Sequence, residues 1–357
     1  MSPDKNNEPI KITLDDLARV ETAAPVGAPM VPGRGPDGAK VYGSVTEAAD
    51  QPVATSPEER GSILLQAWFY LGLAGLLGAT AGWATIEPWF VDGPGPSRAW
   101  QTFALIALVV TLQCVAYGVA ESIVERSPQK ALTRGGLSIP LGALFGAVIS
   151  VIAGVVFLIC VSFVASMGAQ TARNPAFWVA RGIAWMVLGV APGAVYGIIG
   201  LSSKKALYGI LGGVIGAGLG GMLFDPIALL TKGGAASRGV GFALLGLATG
   251  IAMGLVESAL KDRWLYVTAG PLAGKQFILY KPRTVIGSDQ KCDIYLFKDP
   301  NVLAEHAIVE ITGSRVQFRA LGPAYVSGQP ARVQVLQSGN AVQIGRYAFR
   351  YSERQRK

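Results

Sequence analysis

The sequence predicts a polytopic α-helical membrane bundle of about six transmembrane helices, followed by an all-β sandwich. The chain of 357 residues is 51% hydrophobic and 15% charged, whereas soluble domains carry about 25% charged residues. Apolar runs near or above the roughly 20 residues that span a bilayer fill its middle. After Leu260 the pattern changes to short alternating runs separated by turn residues, which is typical of a sandwich.

Three segments follow from this change of composition along the chain. Residues 1–60 are polar and rich in Pro, Gly and Ala, which predicts a disordered N-terminal arm. Residues 61–260 are expected to form a glycine-rich six-helix transmembrane domain. Residues 261–357 are expected to form a cytoplasmic β-sandwich domain.

The transmembrane spans are predicted from the apolar runs. They are expected at about 63–85, 99–121, 137–167, 178–201, 206–230 and 239–260. Arg181, near the edge of the fourth span, is expected to extend to the membrane surface. The Asp225-Pro226 pair is expected to mark the end of the fifth span or a break in it. Glu121 and Glu257, at the ends of spans, are expected to be hydrated.

The charges between the spans predict the orientation of the chain. Connecting segments on one side hold eight Lys and Arg residues, and those on the other side hold five. Because positive charge is enriched in cytoplasmic loops, both termini are predicted to be cytoplasmic.

Two sequence patterns recur within the apolar region. Ser127–Leu132 and Ser202–Leu207 share the pattern SxxKAL at two helix connections on the predicted cytoplasmic side. Small residues also recur every fourth position, for example at Gly209, Gly213, Ala217 and Gly221. Such rows favour close helix packing, within the bundle or in a homo-oligomer through the glycine-rich helices. A glycine-lined permeation path is the alternative.

The residue types that catalysis and metal binding require are scarce. With three widely separated Cys residues and one His, neither a metal site nor a His-based catalytic triad is expected. The run Gly216–Gly221 satisfies GxGxxG, but it lies within an apolar helix and follows no strand, so no nucleotide site is predicted. The sequence thus predicts a protein that is not an enzyme and has no cofactor.

The last segment is basic. Residues 261–357 hold 15 Lys and Arg residues against seven Asp and Glu residues. This balance suits an anionic membrane face or an acidic protein partner. Nucleic acid is not expected as a partner, because no aromatic and basic residues are interleaved.

The predicted strands of this segment follow its short apolar runs. They are Trp264–Thr268, Gln276–Leu279, Thr284–Ile286, Asp293–Leu296, Ala307–Ile311, Val316–Arg319, Arg332–Val335 and Tyr347–Tyr351.

Several motifs in this segment occur in a recognisable order. They are Thr284-Val-Ile-Gly287, Cys292-Asp-Ile-Tyr-Leu296, His306-Ala-Ile-Val309 and Val342-Gln-Ile-Gly345. With these motifs, residues 264–352 resemble a forkhead-associated (FHA) domain. The resemblance implies a compact β-sandwich with recognition loops at one end, which in this family bind phosphothreonine peptides.

The phosphate-binding positions of the family are degenerate in this chain. Ser288 stands where the resemblance places an Arg, and Leu303 stands where it places a Ser. The Asn of the later loop would fall near Gly322 or Ser327. A phosphate dianion needs charge-assisted donors, and Leu303 offers no side-chain donor. Candidate binding residues for a partner or phosphopeptide are therefore Ser288, Lys291, Lys298, Leu303 and Ser327.

Three further positions match structural residues of the family. The resemblance assigns His306 a supporting role in the loops rather than a chemical one. Gly287 is expected to be a turn glycine with a backbone conformation that other residues resist. Gly328 is expected to be structural as well.

The leading hypothesis for function is a membrane-anchored scaffold or signalling protein. Its FHA-like domain would recruit a protein partner, phosphorylated or not, to the bilayer, without strict dependence on phosphothreonine. One alternative is a transporter or channel regulated by the FHA-like domain. Another is a phosphothreonine receptor with non-standard ligands, whose targets include Thr13, Thr22, Thr46 and Thr55 of the arm. The FHA resemblance favours the plasma membrane of a bacterium.

Overall fold

The computed structural model describes residues 62–92, 96–168 and 173–354. The predicted arm and its four candidate threonines lie outside the described residues.

The helices occupy the first part of the described chain. They are α1 (Ala67–Ile86), α2 (Pro96–Val124), α3 (Pro128–Ser166), α4 (Pro175–Leu188), α5 (Val190–Ile199), α6 (Ser203–Leu230) and α7 (Gly234–Leu260). Helices α4 and α5 meet at Gly189 and together form one span. The described residues thus contain six segments that are long and apolar enough to cross a membrane, which confirms the predicted six-helix class.

Helix α3 begins nine residues before the predicted third span. Ser127 is its N-cap, because the Ser127 hydroxyl accepts a hydrogen bond from the Lys130 N–H at 3.4 Å. Pro128 occupies the first turn, where a missing N–H has no cost. Pro140 lies inside the helix without ending it. The helix therefore spans 39 residues, and its first turns extend beyond the apolar run.

The expectation for Asp225-Pro226 is wrong, as is that for Arg181. Helix α6 continues through Pro226 to Leu230. The Asp225 carboxylate accepts a hydrogen bond from the Arg181 Nε at 2.7 Å, and its side chain is 5% exposed. The Arg181 guanidinium is enclosed by three aromatic rings, those of Phe157, Phe177 and Phe224. An ion pair inside the bundle therefore replaces contact with the membrane surface.

The glycine rows lie against neighbouring helices. A Cβ atom added to Gly209 would lie 2.7 Å from the Gly193 carbonyl oxygen, and one added to Gly212 would lie 2.7 Å from the Met253 nitrogen. The backbones of α5 and α7 thus occupy the space beside α6. These glycines permit close helix packing.

The strands follow directly after α7. They are β1 (Arg263–Ala269), β2 (Gln276–Ile278), β3 (Arg283–Gly287), β4 (Ile294–Tyr295), β5 (Ala307–Thr312), β6 (Arg315–Ala320), β7 (Ala324–Val326), β8 (Gln329–Pro330), β9 (Val333–Val335), β10 (Ala341–Ile344) and β11 (Tyr347–Glu353). The predicted set lacks β7, β8 and β10. These have at most four residues, too few to show an alternating pattern.

Two sheets pack face to face in this part of the chain. Their strand orders are β2-β1-β11-β10-β7-β8 and β4-β3-β5-β6-β9. Strand β1 pairs antiparallel with β11, so the first and last strands are neighbours. Alternate residues such as Val309, Phe318 and Phe349 point into a shared apolar core and are fully buried. The predicted all-β sandwich is confirmed.

Candidate functional site

Two of the predicted binding residues lie in loops that are hydrogen-bonded to each other. The Ser288 hydroxyl donates to the Val302 carbonyl at 2.9 Å. The Ser288 N–H donates to the Leu303 carbonyl, also at 2.9 Å. The hydroxyl of Ser288 is therefore engaged within the fold, where it joins the loop after β3 to the loop before β5.

His306 connects this pair of loops to a third. Its imidazole is fully buried. The Nδ1 atom accepts a hydrogen bond from the Leu303 N–H at 3.0 Å, and Nε2 lies 2.9 Å from the Pro323 carbonyl. This pairing requires the proton on Nε2, because a carbonyl can only accept. The backbone of His306 in turn accepts the Leu321 N–H at 2.8 Å.

Two positions in these loops require glycine because of close packing and not because of an unusual backbone conformation. Gly287 does not have a positive φ, so the expected unusual backbone is wrong. A Cβ atom at Gly287 would instead collide with the Ala304 carbonyl. At Gly322 a Cβ atom would lie 2.6 Å from the His306 ring. Gly322, one of the two positions near which the resemblance places the Asn, therefore has no room for a side chain.

Ser327 and Gly328 form the tight turn between β7 and β8. Both have positive φ, 51° and 80°, as expected for a two-residue hairpin turn. The Ser327 hydroxyl accepts a hydrogen bond from the Asn340 amide at 3.2 Å. Gly328 thus supplies the left-handed conformation that glycine adopts without strain.

Lys291 and Lys298 lie in different surroundings. Lys298 is exposed at φ 59°, and its carbonyl accepts a hydrogen bond from the Arg346 guanidinium. Lys291 lines a cleft between the sandwich and the helices, together with Lys130 and Arg134. Leu303 does not line that cleft. The structure therefore does not gather the five predicted binding residues into one site.

The loops around His306 expose two leucines. Leu303 is 49% exposed and Leu321 is 50% exposed. Each donates its backbone N–H to His306, so both lie beside the same buried residue. An exposed apolar side chain thus stands at Leu303, where the resemblance implies a phosphate ligand, and another stands at Leu321 beside Gly322.

A second group of functional residues lies where the sandwich meets the helix ends. We call this contact the docking interface and define it by Glu121–Arg134, Lys204–Tyr208 and Glu257–Lys261 on the helices and Gly274–Phe297 on the sandwich. At its centre the Lys275 ammonium lies 2.7 Å from the Glu125 carboxylate, and both side chains are 2% exposed. Removing one member of an ion pair this deeply buried would leave the other charge buried without that partner, which is costly, so the pair specifies how the two parts fit together.

The SxxKAL repeats supply two more cations to the docking interface. Ser127 and Ser202 each cap a helix by accepting the N–H of the Lys three residues later, Lys130 and Lys205. Lys130 pairs with Glu125 at 3.4 Å, and Lys205 pairs with Glu121 at 2.7 Å. The two carboxylates are one turn apart on the end of α2. The repeat therefore places one lysine from α3 and one from α6 beside carboxylates on successive turns at the end of α2.

Tyr280 adds a hydrogen bond from the sandwich to α7. Its hydroxyl contacts the Glu257 carboxylate, which also lies 3.5 Å from the Tyr196 hydroxyl. Burial, followed by the negative charge of Glu257, raises the pKa of Tyr280 well above its ordinary value. The neutral phenol therefore acts as the donor. Glu257 is 6% exposed, so the expectation that it is hydrated is wrong.

The loop after β3 contacts the beginning of α3. The Gln290 side-chain oxygen accepts hydrogen bonds from the Ser127 hydroxyl and the Gln129 N–H, both at 3.0 Å. Arg126 lies over the ring of Phe297, 5.5 Å from its centre. The loop after β3, which the resemblance assigns to recognition, is therefore partly covered by helices of the same chain.

Sequence reasoning missed the docking interface as a site. Glu125 and Lys275 are 150 residues apart, and no local pattern joins them. One signal was present, since the SxxKAL repeat combines a helix N-cap residue with a lysine at a predicted helix connection.

Comparisons with known proteins agree with the fold of the sandwich. Residues 266–355 match a family model, Yop-YscD, described as the cytoplasmic domain of an inner membrane component of T3SS. The C-terminal region is thus FHA-like, which confirms the resemblance. The reported matches cover the strands and leave the helical part unassigned.

Similar curated proteins come from the genera Corynebacterium and Mycolicibacterium. The oxoglutarate dehydrogenase inhibitor of Corynebacterium efficiens is 37% identical over 86 residues, covering 23% of this chain and 60% of that protein. The glycogen accumulation regulator GarA of Mycolicibacterium smegmatis is 36% identical over 86 residues, covering 23% of this chain and 54% of that protein. The chain spans less than two thirds of the length of these relatives.

Two solved structures are similar to the sandwich. The FHA domain of CT664 from Chlamydia trachomatis is 25% identical with a TM-score of 0.25, covering 27% of this chain and all of that one. The cytoplasmic domain of the T3SS sorting platform protein PscD from P. aeruginosa is 23% identical with a TM-score of 0.24, covering 27% of this chain and 83% of that one.

Proposed function

We propose that this chain is a membrane-anchored, non-enzymatic interaction protein. Its FHA-like sandwich recruits a protein partner through the exposed surface of Leu303 and Leu321, without strict dependence on phosphothreonine. The observation that carries this proposal is the chemistry of the loops. The Ser288 hydroxyl is bound to the Val302 carbonyl, and Leu303, which is half exposed, has no donor in its side chain.

The side chains available in these loops favour recognition that does not depend on phosphate. A phosphate dianion is held by several charge-assisted donors. Position 322 has no room for a side chain beside His306, and Lys291 lines the cleft toward the helices. Two exposed leucines at this end instead favour a partner with an apolar contact surface.

Location in a bacterial plasma membrane rests on the helices and on charge. Six segments have the length and hydropathy of membrane spans. The helix ends at the docking interface carry Arg126, Lys130, Arg134, Lys204 and Lys205. Cations at this end favour a cytoplasmic sandwich. The description of the matching family, a cytoplasmic domain of an inner membrane component, supports the same orientation.

The names of the relatives support action on another protein. One is an inhibitor of oxoglutarate dehydrogenase, and another is a regulator of glycogen accumulation. By analogy, the sandwich of this chain acts by binding a partner rather than by catalysis.

Site-specific photo-cross-linking in the full chain tests the proposal. A photoreactive amino acid replaces Leu303 in one variant. In the control it replaces Ser314, which lies in the turn at the opposite end of the β5–β6 hairpin. We expect a cross-linked partner in the membrane fraction from position 303 and none from position 314. The yield should persist when the cell extract is treated with phosphatase before irradiation.

Two results would contradict the proposal. Equal cross-linking from both positions would show that the leucine surface is not selective. Failure of the cross-link to form in extract that was dephosphorylated before irradiation would show that a phosphoprotein is the partner, as the receptor alternative requires.

A further inference from the structure

A basic cleft of about 350 Å³ lies between the beginning of α3 and the loop after β3. Its charged lining consists of four cations and one carboxylate, namely Lys130, Arg134, Lys281, Lys291 and Asp293. Lys130 and Arg134 belong to the helices, and Lys281 and Lys291 belong to the sandwich. Cations from both parts of the molecule therefore line the same cleft.

Carboxylates neutralise the cations on the helix side of the cleft only partly. Glu125 pairs with Lys130 but also with Lys275, and in the same way Glu121 serves Arg134 and Lys205. Each helix cation of the cleft, Lys130 or Arg134, thus shares its carboxylate with a second lysine that lies outside the cleft.

The sandwich side of the cleft adds further positive charge. Lys281 pairs with Asp293 at 2.7 Å. Lys291 is exposed and forms no ion pair within the described ranges. The cleft therefore retains an excess of positive charge that an anion can compensate.

The first turn of α3 adds to the attraction for an anion. Gln129 and Lys130 lie at the N-terminal end of this helix and line the cleft. Their N–H groups already donate to Gln290 and Ser127, so the helix end acts on an anion through its dipole. Helix N-termini carry a partial positive charge and favour negative groups. Together with the lysine ammonium groups, this arrangement suits the oxygen atoms of a phosphate ester.

An apolar path leads away from the cleft along the helices. Leu201 lines the cleft and is 76% exposed. Leu132, on α3 two residues beyond Lys130, is 79% exposed. Further along α3, large apolar side chains including Leu137, Leu144 and Leu158 are more than half exposed. Exposed apolar side chains thus lie at the cleft and along α3, where acyl chains can pack.

We propose that this cleft binds the phosphate group of an anionic phospholipid. Its acyl chains lie along the exposed face of α3, and its headgroup bridges the helices and the sandwich. The proposal rests on the proposed membrane location of the helices. Occupancy of the cleft then stabilises the docked position of the sandwich.

Lipid binding by the full chain in nanodiscs tests this inference. Discs of phosphatidylcholine with and without phosphatidylglycerol are compared, and bound lipid is counted by native mass spectrometry. We expect retention of phosphatidylglycerol by the wild-type chain. Lys291→Gln and Lys281→Gln should each weaken retention about fivefold, because each removes one cation near an anionic headgroup. Arg319→Gln, an equal charge change at an exposed position on β6, should leave retention unchanged.

Glycerol phosphate, added to discs of phosphatidylcholine, distinguishes a lipid from a free phosphate ester. If glycerol phosphate binds as tightly as the lipid, and if its binding depends on Lys291, the cleft is a phosphate site. Its ligand is then a soluble phosphate ester and not a lipid, which overturns the lipid assignment. Equal retention of both lipids, or an equal loss in the Arg319→Gln variant, overturns the inference while leaving the proposed function standing. Failure of the chain to insert into discs overturns the proposed membrane location, and the inference with it.

Discussion

Lys275 Nζ lies 2.7 Å from Glu125 Oε1, and each side chain is 2% exposed. The lysine comes from the sandwich and the glutamate from the end of α2. Because a buried charge without its partner is costly, this pair specifies the position of the sandwich on the helices. A rigidly held sandwich presents its free loops, with Leu303 and Leu321, in a constant orientation.

Substitutions in this ion pair should have unequal effects. Glu125→Gln leaves both Lys130 and Lys275 without their carboxylate and should destabilise the protein by about 3–5 kcal/mol. Lys275→Gln should cost less, because Glu125 keeps Lys130 at 3.4 Å. Thermal unfolding of the purified chain in detergent measures the order.

The matched control is the exposed pair between Lys204 and Asp262, whose side chains are 59% and 39% exposed. Lys204→Gln should change the stability by at most about 1 kcal/mol. A loss as large as that of Glu125→Gln would show that burial does not govern these pairs.

Tyr280 should make the stability of the protein depend on alkaline pH. In the unfolded chain its phenol loses its proton near pH 10, whereas burial beside Glu257 raises the pKa in the folded chain. The folded state then binds more protons, so stability falls as the pH rises above about 10. Tyr280→Phe should reduce this slope, measured by unfolding between about pH 8 and pH 11. An unchanged slope would contradict the assignment.

His306→Ala should loosen two loops without unfolding the sandwich core. It removes the partners of the Leu303 N–H and the Pro323 carbonyl, and each buried unsatisfied group costs about 1–3 kcal/mol. Hydrogen–deuterium exchange should become faster at residues 302–306 and 321–323. Strand β10, at Ala341–Ile344, serves as the internal reference. Equal acceleration there would indicate global unfolding instead.

Two glycines of the bundle should respond in opposite directions to an added methyl group. In Gly246→Ala the new Cβ would lie 2.7 Å from the Ala79 Cβ and would collide with the Gly75 carbonyl, so the contact between α1 and α7 should weaken. Gly136, on α3, has nothing within 4 Å of its added Cβ. Gly136→Ala should therefore stabilise the protein by up to about 1 kcal/mol. Melting temperatures that move in the same direction would contradict the packing argument.

The broad architecture could be predicted because it depends on local patterns. Apolar runs of spanning length mark the helices, and turn residues between alternating runs mark most strands. The start of α3 was missed since its first turns are polar and are defined by the Ser127 cap. The short strands β7, β8 and β10 depend on their partners, which no local pattern reveals.

The site was less predictable because its contacts join distant segments. Arg181 and Asp225 are 44 residues apart, and the sequence alone places each near a span end. The docking interface likewise depends on how the sandwich is oriented on the helices. Gly287 shows a related limit, since the need for glycine there comes from the Ala304 carbonyl in another loop.

The most direct test of phosphate-independent recognition is a binding comparison with the full chain in nanodiscs. A phosphothreonine peptide library is titrated beside the same peptides without phosphate. We expect that phosphorylation does not increase binding, and that Leu303→Asp weakens whatever binding the unmodified peptides show. Binding that requires phosphate and is unaffected by Leu303→Asp would contradict it and identify the sandwich as a phosphothreonine receptor.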